Sequence, residues 1–144
     1  MRKLSFQEAL EQILEEDSRY KEEAYLFVRE ALDHTIQSLS KPKTGPDRHV
    51  SGHELLDGIR VFACEQFGPL TKTVLNRWGI RETADFGEIV FNLVDKGILG
   101  KTDDDRREDF RNGYDFEEAF VHPFLPSAQL RSTAEPSARD TSSA

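Results

Sequence analysis

Four groups of residues in this 144-residue chain have types and spacings that could do chemistry. His49 and His53 are four apart, the spacing of helical zinc sites. A helix cap expected at Ser51 falls between them, so the two imidazoles need not share a helical face. Glu54 follows His53, but the second histidine of an H-E-x-x-H site is missing. Asp103-Asp104-Asp105 opens like a calcium loop. Its register then puts Arg107 at the fifth position and Glu108 where the sixth-position glycine should turn the chain. The match fails, and no metal or cofactor is expected.

The third group is basic: Lys72, Arg77 and Arg81, with Thr71 and Thr73 beside them, joined further on by Arg106 and Arg107. Guanidinium and ammonium groups at such spacing can contact nucleic-acid phosphates. The fourth is aromatic: Phe110, Tyr114, Phe116, Phe120 and Phe124 crowd a short stretch near residue 120. Most simply they form a strand returning to the core and a turn packed over it. Functionally, Phe120 to Phe124 reads as an exposed docking segment, since aromatic anchors dominate many protein interfaces. Phe91, off the main stripe of its helix, is a third candidate protein contact beside Phe120 and Phe124.

Other reactive side chains point elsewhere. Cys64 lies within an apolar helical pattern and reads as a small buried hydrophobe; as the single cysteine it has no internal disulfide partner. His34 falls on the polar side of a long helical pattern and reads as a surface residue. There is no nucleophile elbow, glycine-rich phosphate loop or Cys–His arrangement. Carboxylates are abundant, but acid–base catalysis needs two in a shielded cleft with separated pKa values. No catalytic residue is expected, and an enzyme is not the reading.

The elements that must position these groups follow from apolar spacing. Ser5 and Glu8 form a capping box, with Phe6, Ala9, Leu10, Ile13 and Leu14 on one face behind it. Glu15-Glu16-Asp17 sit badly at the negative end of a helix dipole and should stop that helix early. A second helix is expected over about Lys21 to Leu39. Its stripe is Ala24, Val28, Ala31, Leu32, Thr35 and Leu39, with Tyr25 and Ile36 alongside. Two prolines and a glycine between Lys41 and Asp47 mark a loop.

Ser51 and Glu54 form a second capping box, followed by a helix closed by Gly68 and Pro69. A short helix carries Leu70, Val74 and Trp78 at intervals of four and ends at Gly79. Thr83 is expected to cap a helix with Phe86, Ile89, Val90, Leu93 and Val94 on one face, and Gly97 to stop it. Ile98-Leu99, a charged tip from Lys101 to Arg111 and Gly113-Tyr114-Asp115-Phe116 then read as a two-stranded wing.

The fold class expected is mainly α with a small β-hairpin: an N-terminal helical pair plus a winged-helix-like unit. Residues 1–125 should form one domain: the helical pair at 1–40, a loop at 41–50 and the winged-helix-like unit at 51–125. Residues 126–144, nearly all small or polar, should form a disordered tail.

Charge weighs on function. The chain has 19 basic against 27 acidic side chains, a formal net charge of -8. Residues 50–125 alone hold 9 basic and 15 acidic ones. A duplex repels such a surface at long range. The candidate recognition helix offers Asp85, Glu88 and Asp95 against Lys96, with Asn92 as its only base-reading side chain. The N-terminus turns acidic before any apolar run develops, so no signal peptide is expected. Apolar runs fall far short of a membrane span. A cytoplasmic protein is expected.

Several segments carry a resemblance: Tyr25-Leu26-Phe27-Val28, Arg48-His49-Val50-Ser51-Gly52, Glu65-Gln66-Phe67-Gly68-Pro69, Trp78-Gly79-Ile80, Asp85-Phe86-Gly87-Glu88-Ile89-Val90 and Gly113-Tyr114-Asp115-Phe116. Over roughly Leu4 to Phe124 the chain resembles an uncharacterised bacterial family found largely in planctomycetes and verrucomicrobia. The resemblance implies a bacterial cytoplasmic setting and no particular activity. The reading is a non-catalytic adaptor or regulatory module that binds another protein or itself. The alternative is a nucleic-acid-binding regulator of transcription or translation using the basic cluster.

Overall fold

The computed structural model describes residues 5–40, 50–99 and 107–126. Those residues are mainly helical: α1 (Phe6–Glu16), α2 (Glu22–Ser38), α3 (Gly52–Phe67), α4 (Thr71–Arg77), α5 (Thr83–Asp95) and α6 (Phe116–Phe120), with short 3-10 turns between and after them.

Local chemistry sets most of the ends. The Ser5–Glu8 and Ser51–Glu54 capping boxes both form, each hydroxyl accepting from the third helical N–H and each carboxylate from the cap N–H. α1 stops at Glu16, as its acidic last turn requires. α5 ends where Gly97 takes φ 77°, and the N–H groups of Gly97 and Ile98 donate back to the carbonyls of Val94 and Leu93. One cap differs from expectation. Thr83 is not the cap of α5 but its first residue, buried, with its hydroxyl accepting from the Gly113 N–H. The carboxylate of Asp85 does the capping, accepting from the N–H groups of Arg81 and Glu82.

α5 lies at the centre. Its Phe86, Ile89 and Leu93 are fully buried, and α1, α2, α3 and the 3-10 turn at Arg107–Phe110 pack around it. Each large apolar side chain so buried contributes about 2–3 kcal/mol. α2 and α3 run antiparallel: Phe27 touches Phe67, while eight residues further along α2, Thr35 meets Gly58. Gly79, at φ 96°, presses against the carbonyl of Arg19; a Cβ there would overlap that oxygen. The contact seats the turn after α4 under the α1–α2 corner, where the Lys21 N–H also donates to the Trp78 carbonyl.

The expected β-hairpin is not found: no described residue is in a strand. The tip over 101–106 lies outside the described residues. On the return side, Asp115 accepts from the Glu118 N–H and starts α6, so the aromatics belong to a helix. Phe116, Ala119 and Phe120 are its buried positions, a spacing of three and four that a strand cannot place on one face. Tyr114 is held by its hydroxyl, which donates to the Leu56 carbonyl, and not by a strand ladder.

Candidate interaction site

The polar face of α5, the expected recognition surface, is consumed inside the molecule. Asp17 at the end of α1 is gripped by both arms of Arg19, at 2.9 and 2.7 Å. Those hydrogen bonds hold its carboxyl well below the usual carboxylate range. Arg19 also donates to Glu88 on α5, and Arg107 donates to the same carboxylate oxygen at 2.9 Å. The Tyr20 hydroxyl donates to Asp85 at 2.6 Å, and burial raises its pKa far above that of a free phenol. Asn92 donates to Asp17 and to the Tyr25 hydroxyl, and Lys96 pairs with Glu16 at 3.0 Å. The one base-reading side chain of α5 is therefore spent on the α1–α2 corner. A duplex would have to displace that corner to reach it.

The aromatic docking residues also turn inward. Phe120 is fully buried, with its ring 4.9 Å from Phe116 and 5.8 Å from Tyr114. Phe91 is 7% exposed, edge-on to Phe110, and covered by the Arg107 guanidinium. Both are core residues of this fold: the segment around residue 120 coils into α6 and turns its rings inward, while Phe91 on α5 is covered by Phe110 and Arg107. Phe124 alone stays on the surface.

The basic residues divide. Arg77 and Arg81 are exposed and form no ion pair among the described residues, whereas Lys72 reaches Glu117 at 2.8 Å. Arg107 is tied to Glu88 and Asp95, and Arg106 lies outside the described residues. Lys72 and Arg81 open onto a cleft of about 480 Å³ between α4, α5 and α6, which Glu82, Asp115 and Glu117 also line. Its cations face carboxylates, so an anion entering it gains little net field. Among the described residues no three His, Cys, Asp or Glu side chains come together as metal ligands would. His53 is exposed, and His49 and Asp103 to Asp105 lie outside the described residues.

One feature escaped the sequence reading. Along the seam of α2 and α3, Trp78, Phe67, Phe27, Phe62 and His34 form an unbroken run of rings, with successive centroids 5.0–5.7 Å apart. Phe27 forms the buried floor; the other four are half-buried, at the solvent edge. Leu26 and Val61, 39% and 37% exposed, are the chain neighbours of Phe27 on α2 and Phe62 on α3. His34 turns its Nε2 toward Glu65 at 3.7 Å, and its ring lies tilted against Phe62 at 5.0 Å. The signal lay in the seven-residue interval from Phe27 to His34, two turns of α2. It was hidden because α3, and not α2, supplies the ring between them, Phe62.

The chain matches no protein-family model, no curated protein and no solved structure.

Proposed function

We propose that this protein is a non-catalytic adaptor or regulatory module that binds another protein. The observation that carries the reading is the α2–α3 seam. A run of aromatic rings lies along it, and Leu26 and Val61, next in the chain to Phe27 and Phe62, are exposed aliphatic side chains. Such rings supply rigid apolar contact area at small entropic loss, the makings of an interface centre. Of the winged-helix-like unit the proposal keeps only the order α3, α4, α5, without the wing. A bacterial cytoplasmic setting belongs to the same proposal.

The test is recovery of partners from bacterial cytoplasm by the full chain and by a Leu26→Ser/Val61→Ser variant whose helical circular dichroism matches wild type. Loss of specific partners from the variant supports the reading. Identical recovery overturns it.

A second reading rests on Arg77 and Arg81, exposed and without an ion-pair partner among the described residues. With Lys72 they would give a nucleic-acid regulator a phosphate-binding patch. Binding to random-sequence duplex should then fall with salt at a log–log slope of about -2 to -3, and Arg77→Glu/Arg81→Glu should abolish it. No binding at low salt removes this reading.

A further inference from the structure

We infer that the α2–α3 seam receives a basic amphipathic helix, an inference that rests on the protein-binding reading above and names its partner class. Shape supports a helix. The ring run follows the groove between two antiparallel helices, and a third helix laid along such a groove presents anchors at i, i+4 and i+7. The aromatic floor suits aliphatic anchors, and the exposed Leu26 and Val61, next in the chain to Phe27 and Phe62, add apolar surface on the same two helices.

Charge decides the rest. On α2, Glu23 precedes Phe27 by four residues, and Glu30 stands three after Phe27 and four before His34. All three intervals are those of helical surface neighbours. Glu23 and Glu30 are exposed. From α3, Glu65 stands at the His34 end, with its side chain 60% exposed. Three carboxylates therefore border the rings. Of the cations near by, Lys21 and Arg77 sit at the Trp78 end, adjoining the turn that carries it. Arg29 lies over the Phe6 ring and Arg60 pairs with Asp57. A helix with lysines or arginines flanking its apolar stripe meets complementary charge along most of this seam.

Two other occupants fit worse. A second copy placed face to face would oppose Glu23, Glu30 and Glu65 with the same carboxylates. Residues 127–144 of the chain itself hold one large apolar residue, Leu130, too few for three anchors.

Trp78 is the single tryptophan and sits in the ring run, so its emission reads occupancy directly. The full chain is titrated with three tryptophan-free peptides: an amphipathic Lys/Leu helix, a Glu/Leu helix of the same pattern, and a scrambled Lys/Leu peptide of equal charge. A saturable emission change with the amphipathic basic peptide alone is expected. Glu30→Lys/Glu65→Lys should weaken that binding by about tenfold or more, two surface ion pairs being reversed.

Equal response to the Glu/Leu peptide would overturn the partner class while leaving the apolar seam in place. Equal response to the scrambled peptide, an unaffected double variant, or no response to any peptide would overturn it as well. So would emission that changes with the protein's own concentration, the mark of a second copy. The protein-binding reading fails separately, on identical recovery by the Leu26→Ser/Val61→Ser variant.

Discussion

The side-chain amide of Asn92 donates to the carboxylate of Asp17 across 3.1 Å, joining residues 75 apart in the chain. Asp17 ends α1 and Asn92 lies three-quarters of the way along α5, so this bond fixes the first helix to the central one. Arg19, Glu88 and Arg107 continue the connection to the 3-10 turn before α6. A helix held at both faces is a scaffold element. Binding surfaces must be sought on the helices outside it.

Stability in acid should report on Asp17. Its folded pKa is depressed, chiefly by the two hydrogen bonds from Arg19. A carboxylate of this kind contributes stability that is fully present above its unfolded pKa, about 3.9, and lost as pH falls toward the folded value. Thermal melts of wild type and Asp17→Asn should therefore differ most at neutral pH and converge below about pH 4. A constant gap across that window would show that the charge of Asp17 is not what stabilises the corner.

Phe120 and Phe124, four residues apart, should respond differently to truncation. Phe120→Ala empties a fully buried site against Phe116 and Tyr114 and should destabilise the protein by about 3–5 kcal/mol. Phe124→Ala, at a surface ring, should cost no more than about 1 kcal/mol. Urea unfolding of both variants measures the difference. Equal costs would place the Phe120 ring outside the core.

α2 and α3 meet at a glycine. A Cβ at Gly58 would overlap the Thr35 hydroxyl, which donates to the Ala31 carbonyl at 2.7 Å. Gly58→Ala should destabilise by about 1–3 kcal/mol. Thr35→Ala in the same chain should recover part of that, making the pair less than additive. Strict additivity in denaturant melts would place the clash elsewhere.

Local signals explain how much of the fold was legible. The capping boxes at Ser5 and Ser51 and the left-handed stop at Gly97 act over four or five residues, and the sequence determined them alone. The mainly helical class followed from apolar spacing for the same reason. Gly-Tyr-Asp-Phe failed because its aromatics suggested a strand, while Asp115, with Glu118 three residues on, was already a helix start. Only the tertiary structure decided which faces are free. The polar side chains of α5 look solvated in sequence, and an acidic helix carries no mark that Arg19, Tyr20 and Arg107 will close over it. The ring run from Trp78 to His34 draws on two helices and the turn after α4, and its order exists only once α2 and α3 are antiparallel. Periodicity places side chains on a helix; long-range packing chooses which of them meet water.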